Sequence, residues 1–367
     1  MIIYQIALQL LPGIGPVTAK NLLAYTGSAQ EALRQPKHKL MKIPGIGDHT
    51  ADKILANKEA LKQAEKEIDF IQKNNINTYF YTDNDYPELL RHCPDAPIML
   101  YAKGKLDVNN KKCISLVGTR RATKQGIERC EQLVKELKET GKDPVIVSGL
   151  AFGIDICAHK AAIKFGLPTI AVLGHGLNRI YPSDHEKIAH EIVENGCLIT
   201  EFLSTSKFIS KNFLQRNRII AGISQATIIV ESGEKGGSLV TADIANSYNR
   251  DVFAFPGRVN DKSSKGCNTL IKQNKAALIE TAKDIEYIGG WERSVKEIMT
   301  SNEIFPETTK EEDLILKILK ENGKVNIDII CRLAEMETSI VSSFLLALEF
   351  KNLVKSLPGK LYEYSWK

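Results

Sequence analysis

The chain has 367 residues, 43% of them hydrophobic and 25% charged, with a formal net charge of +5. This composition describes a folded protein of two or three domains and excludes a disordered or collagen-like chain. The mild positive charge permits an anionic partner without demanding one, so local clustering must carry any such argument.

Seven cysteines stand singly at 93, 113, 130, 157, 197, 267 and 331, and no C-x-x-C pair occurs. This predicts reduced core thiols rather than a zinc or redox site. The start, MIIYQIALQLLPGIG, has no basic n-region or small-residue cleavage site, and no apolar run reaches the length of a membrane span. The expectation is a cytoplasmic protein without membrane association, metal or cofactor.

Residues 1–72 read as a helical domain with an internal near-repeat. LLPGIGPVTAKNLL (10–23) is echoed by KIPGIGDHTADKIL (42–55). The pair resembles the helix-hairpin-helix (SAM-like) motif, where glycines turn the backbone and a helix N-terminus can face a phosphate. Residues 1–70 hold 9 basic and 7 acidic side chains, so a structural module and a DNA contact stay equally open. Residues 60–75 continue as a polar helix. Residues 77–104 then read as two short strands around an irregular linker.

From Lys112 the pattern changes to short apolar strands alternating with helical runs. The strands read 113–118, 145–149, 169–174, 197–200, 227–232, 251–257 and 276–280. Near-continuous Val/Ile/Leu runs separated by helices predict a doubly wound, mostly parallel, Rossmann-like α/β sheet over 75–290. Ligands of such sheets bind beyond the carboxyl ends of the strands. Those ends carry Gly118-Thr119-Arg120, Ser148-Gly149, Gly174-His175-Gly176 and Glu231-Ser232-Gly233. Residues 291–309 read as a charged linker. Residues 310–367 read as three helices and a hairpin turning at Pro358-Gly359, a winged helix. It holds 9 basic and 9 acidic residues, and Glu349 and Lys351 are the charges on its third helix. That disfavours reading of a duplex groove.

Lys207 to Gly222, KFISKNFLQRNRIIAG, concentrates the anion chemistry. Lys207, Lys211, Arg216 and Arg218 are interleaved with Phe208 and Phe213, with no acid among them. Spaced cations on a loop neutralise successive phosphates, and a ring beside them stacks on an unpaired base. The alternative is a basic helix start with Phe213, Ile219 and Ile220 in the core. Gly236, Gly237 and Ser238 follow as a glycine-rich loop suited to cradling a phosphate, a weak signal when alone. Asp155 reads as a helix cap or a partner for Arg120. His159 reads as a structural histidine, with no nucleophile placed to use it.

These segments together resemble the DNA-processing protein A family (DprA, also called Smf), over the whole chain and most strongly over 113–282. The matching stretches are VGTRRAT (117–123), VSGLAFGIDICAHKAAI (147–163), AVLGHGLNRIYPSDH (171–185), ITEF (199–202), FLQRNRIIAGIS (213–224), ESGEKGGSLVTADIA (231–245), VFAFPG (252–257) and GCNTLIK (266–272). The resemblance implies a non-catalytic single-stranded DNA binder of natural transformation, dimeric, that loads the recombinase RecA. Arg120 falls on the family's Gly-x-Arg motif. Phe213, Arg216 and Arg218 fall on its Phe-Pro-x-Arg-Asn-Arg motif, with Leu214 where the family has proline. Either Lys207 or Lys211 fills the place of its DNA-binding lysine. The alternative is a nucleotide-binding enzyme similar to nucleoside-monophosphate phosphoribohydrolases. Thr241 stands where those enzymes carry a catalytic glutamate.

Overall fold

The computed structural model describes residues 1–290, 308–351, 353–357 and 359–365. Most of the expected linker, 291–307, and Pro358 of the expected hairpin turn lie outside the described residues. The chain divides into two compact units, Met1–Glu292 and Arg293–Lys367.

The first unit opens with six helices: α1 (Ile2–Leu10), α2 (Pro16–Thr26), α3 (Ala29–Arg34), α4 (Lys37–Leu40), α5 (Asp48–Leu55) and α6 (Lys58–Lys73). The two near-repeats place α2 and α5 in equivalent positions. Gly13 (φ 80°) and Gly45 (φ 84°) adopt the left-handed turn that a side chain would resist, just before each helix. Ile6, Leu8, Leu22, Leu40 and Ile54 are fully buried among these helices. The core they form continues into Met99, Tyr101 and Leu203 of the following domain, so the helical domain is packed on the sheet. Helix α6 buries Ala60, Ala64, Glu67 and Ile71, one stripe at helical spacing with an acid in it.

The sheet has nine strands: β1 (Asn77–Phe80), β2 (Met99–Gly104), β3 (Cys113–Gly118), β4 (Val145–Ser148), β5 (Thr169–Val172), β6 (Gly196–Thr200), β7 (Ala226–Glu231), β8 (Asp251–Ala254) and β9 (Ala277–Leu278). Their order is β1-β2-β6-β5-β4-β3-β7-β8-β9. From β6 to β9 all neighbours are parallel; β2 pairs antiparallel with both β6 and β1. Chain order runs outward from β3 in both directions, so the topological switch point lies between β3 and β7. Side chains alternate across the sheet with the period of two that a strand imposes. Ile114 and Leu116 face one apolar layer, Cys113 and Val117 the other. Helices α8 (Lys124–Glu139), α9 (Ile154–Phe165) and α14 (Ala282–Ile288) cover the first face. Helices α11 (Ser210–Ile223), α12 (Gly237–Ser247) and α13 (Lys265–Lys272) cover the second, with short α7 (Glu88–Arg91). Helix α10 (Glu186–Asn195) packs beside β5 and β6.

The second unit carries helices Lys310–Asn322, Ile327–Ala334 and Thr338–Phe350 and the strands β10 (Val325–Asn326), β11 (Val354–Leu357) and β12 (Leu361–Tyr364). A short strand, β10, joins the expected hairpin to give a three-stranded sheet in the order β10-β12-β11. This is a winged helix. The two charges near the end of its third helix are used internally. Glu349 accepts from the Ser356 hydroxyl at 2.6 Å, and Lys351 pairs with the buried Glu312 at 2.7 Å.

Candidate nucleic-acid interface

An open cleft of about 920 Å³ lies over the switch point, at the carboxyl ends of β3 and β7. Its lining includes five cations, Arg120, Arg121, Lys211, Arg216 and Lys235, against one acid, Asp155. Such a balance in a concave site focuses positive potential on a ligand.

The β3–α8 loop that presents Arg120 is fixed from below. Thr119 donates its N–H to the Glu231 carbonyl at 2.8 Å, and its carbonyl accepts from Ile154 at 3.2 Å. The Glu231 carboxylate accepts from Thr123 N–H at 2.8 Å and Thr123 Oγ1 at 2.7 Å. Thr123 in turn caps α8 through Gly126. Glu231 thus anchors the loop from the neighbouring strand, and Arg120 itself stays exposed. The Glu-Ser-Gly motif marks this residue in the sequence, but its reach to Thr123 is visible only once β3 and β7 are paired. Gly118 is required by packing: an added Cβ would lie 2.5 Å from Ile154.

From Ser210 onward the basic stretch is a helix rather than a loop. Phe213, Arg216 and Arg218 all lie within α11. Leu214 sits in its second turn, exposed, and continues the helix. Ile219 and Ile220 are buried, as the helical alternative expects, while Phe213 is half-buried and lines the cleft. Arg216 is 3% exposed and forms the floor. Its Nη1 donates to the Gly149 carbonyl at 2.7 Å and to the Val172 carbonyl. Burial pulls its pKa down to about 10, Asp155 opposes that, and Arg120 adds to it. The Asp155 carboxylate is thus influenced by the Arg216 charge. Burial raises the Asp155 pKa, against the Arg216 charge and hydrogen bonds from the Ala151 and Gly149 backbone. At Gly149 the group that approaches closely is the Arg216 guanidinium, 2.2 Å from an added Cβ. Ser148 is fully buried, and its hydroxyl donates to Leu116 at 2.6 Å.

Arg218 is not brought to the cleft. It is buried on another side of α11, paired with Glu201 and bonded to the Asp95 carbonyl at 2.6 Å. Of the two candidate lysines, Lys211 lines the cleft and Lys207 lies outside it, exposed. Asn217 donates to Gly237 at 3.4 Å rather than to its own segment, tying α11 to the glycine-rich loop.

Gly236, Gly237 and Ser238 form the start of α12 at the cleft wall. Neither α12 nor α11 has a side-chain cap or an acid in its first turn. Both N-termini therefore present unspent backbone N–H groups and positive dipole ends beside the cations. Thr241, where a phosphoribohydrolase carries its glutamate, donates its hydroxyl to Gly237 at 3.1 Å.

Three rings flank the cations. Tyr181 and Phe208 lie 5.0 Å apart, Phe208 and Phe213 5.5 Å, and Tyr181 and Phe213 5.7 Å. Tyr181 and Phe208 are 47% and 41% exposed. His175 supports the cluster from the buried side, 6.0 Å from Phe208, with Nδ1 donating to the Gly176 carbonyl at 2.9 Å. Sequence reasoning missed Tyr181, which lies some thirty positions before Phe213 and carries no local signal of its own.

His159 is fully buried. It donates from Nδ1 to Thr169 Oγ1 at 2.7 Å, because that hydroxyl donates onward to Ile146. Burial drives its pKa down to about 3, so it stays a neutral structural residue. Among the described residues no group of three His, Cys, Asp or Glu is placed to hold a metal ion, and no helix is long and apolar enough to cross a membrane.

Fold and cleft together define a Rossmann-like protein with a cation-lined switch-point cleft, whose sequence also carries helix-hairpin-helix and winged-helix modules. Residues 77–288 match the DNA recombination-mediator protein A family, 6–57 the SAM-like helix-hairpin-helix tandem, and 303–360 the DprA winged helix domain. The chain belongs to the DprA/Smf family. It is 31% identical to protein Smf of Synechocystis over 98% of both chains. It is 38% identical to DNA processing protein DprA of Streptococcus pneumoniae over 55% of this chain and 71% of that one. The X-ray structure of the S. pneumoniae protein aligns with a TM-score of 0.67 at 30% identity, covering 78% of this chain and 97% of that one. A structure describing the single-stranded DNA binding mode of DNA processing protein A from Helicobacter pylori aligns with a TM-score of 0.52 at 30% identity, covering 60% and 96%.

Proposed function

We propose that this chain binds single-stranded DNA in the switch-point cleft and acts in DNA processing during natural transformation. The observation that carries the reading is the pairing of cations with a ring cluster. Arg120 from the β3–α8 loop and Lys211 from the first turn of α11 both line the cleft, and Tyr181, Phe208 and Phe213, which also line it, form one group of rings. Phosphates bind the cations and helix N-termini; unpaired bases stack on the rings, which a duplex would not offer. The H. pylori relative's description as a single-stranded DNA binder supports the same reading. In this account Arg120, Lys211, Gly236, Gly237 and Ser238 receive phosphate, and Phe213 meets a base. Arg216 holds the floor. The protein works without catalysis, as a cytoplasmic homodimer that passes the strand to RecA.

The test compares binding of single-stranded and duplex oligonucleotides of equal length at two salt concentrations. The single strand binds well above the duplex, and salt weakens it. Equal affinity for both forms would overturn the reading. RecA loading is tested separately, as faster RecA filament growth on a strand already coated with single-strand-binding protein.

A further inference from the structure

The segment that carries Phe208 into the cleft is held by the helical domain. Glu67 of α6 is 3% exposed. Both its carboxylate oxygens are spent on one residue of the β6–α11 connection: Oε1 accepts from Ser204 N–H at 2.8 Å, Oε2 from Ser204 Oγ at 2.7 Å. The preceding residue, Leu203, packs in the core of the helical domain. Gln9 of α1 donates to the Glu201 carbonyl at 2.6 Å and is oriented by Tyr101, which donates to its Oε1 at 2.7 Å. The far end of the connection is tied to α11, where Asn212 donates to the Lys207 carbonyl at 2.9 Å. Between these clamps runs the short stretch that delivers Phe208, followed by Lys211 and Phe213. No residue of α1–α6 lines the cleft.

A carboxylate that bonds both donors of one loop residue fixes that residue's position and orientation together. Its removal would leave the Ser204 N–H and hydroxyl without a partner and release the connection from the helical domain. We propose that Glu67 is a positioning residue for single-strand binding: through Ser204 it holds the β6–α11 connection so that Phe208, Lys211 and Phe213 converge on the cleft. The helical domain thereby acts on DNA binding without touching DNA. This rests on the single-strand reading of the cleft.

The experiment uses the full chain with Glu67→Ala and Glu67→Gln. Glu67→Ala binds a single-stranded oligonucleotide roughly 5- to 30-fold more weakly, the reach of one or two lost hydrogen bonds to a charged group. Its salt slope flattens by no more than about one unit, because Lys211 is the one proposed phosphate-binding cation that the connection positions. Amide exchange in the free protein quickens over 203–213 and stays at the wild-type rate in β4 and β5. Glu67→Gln restores binding, since its amide can accept from Ser204 N–H and donate to Ser204 Oγ. Wild-type affinity in Glu67→Ala, an equal loss in Glu67→Gln, or faster exchange throughout the sheet would each overturn the inference. If the wild type itself fails to bind single strands, the reading of the cleft falls. The exchange pattern alone then decides whether Glu67 positions the connection.

Discussion

Arg218 and Glu201 form an ion pair in which each side chain is 8% exposed. Arg216, two residues earlier on the same helix, points instead to the cleft floor. Two positions on an α-helix are separated by about 200° around its axis, so neighbouring arginines of one motif serve opposite sides.

This separation predicts different costs for two arginine truncations. Arg218→Ala leaves Glu201 buried without its cation and should lower stability by about 3–5 kcal/mol. Arg120→Ala removes an exposed side chain and should change stability by no more than about 0.5 kcal/mol. Replacing both members of the pair, Arg218→Met with Glu201→Leu, should recover much of the first loss. Urea titrations of the variants decide it; wild-type stability in Arg218→Ala would show the pair to be dispensable.

The nine strands and the winged helix were legible because their patterns are local: apolar runs of four to six residues, and helices of amphipathic spacing. Arg120 was legible as a cation beside a strand end, whereas the choice between Lys207 and Lys211 was left open and only Lys211 lines the cleft. What was not legible depends on partners far along the chain. Arg218 matches the same motif as Arg216, and only the positions of Glu201 and Asp95 reveal that it is structural. Glu67 looks like a solvated acid until α6 is rotated so that Ala60, Ala64 and Ile71 face inward beside it. The strand and helix pattern separates the helical domain, 1–72, from the sheet domain, 75–290; the core shared by the helices, β1, β2 and Leu203 joins them into one compact unit.

Gly149 offers a second check on the floor. A Cβ there would lie 2.2 Å from Arg216 Nη1, and the guanidinium is held by the Gly149 and Val172 carbonyls with little room to retreat. Gly149→Ala should therefore cost about 1–3 kcal/mol and weaken single-strand binding. An unchanged melting temperature would show that Arg216 can move aside.

Acid should destabilise the protein through its buried histidines. The His159 pKa is lowered to about 3 and that of His175 is also lowered, in both cases chiefly by burial. Below the unfolded value of about 6.5 the unfolded chain binds protons that the folded chain does not, so stability falls as pH falls. The expected loss from His159 is up to about 1.4 kcal/mol per pH unit between pH 6.5 and 5, and His175 adds to the decline in the same direction. Denaturation at several pH values measures it. His159→Gln should show a shallower decline than the wild type; an identical slope would mean that His159 is protonated in the fold.

The central claim is that cations and rings of one cleft divide the work of holding a single strand. A salt titration of binding to one oligonucleotide, run on the wild type, Arg120→Ala and Phe213→Ala with circular dichroism as a control for folding, tests it most directly. Arg120→Ala should lose affinity and flatten the salt slope by about one unit, as expected for one lost phosphate contact. Phe213→Ala should lose roughly 1–3 kcal/mol with the slope nearly unchanged, since stacking releases no counterions. Wild-type affinity in Arg120→Ala, or unfolding of Phe213→Ala in place of weaker binding, would contradict the account.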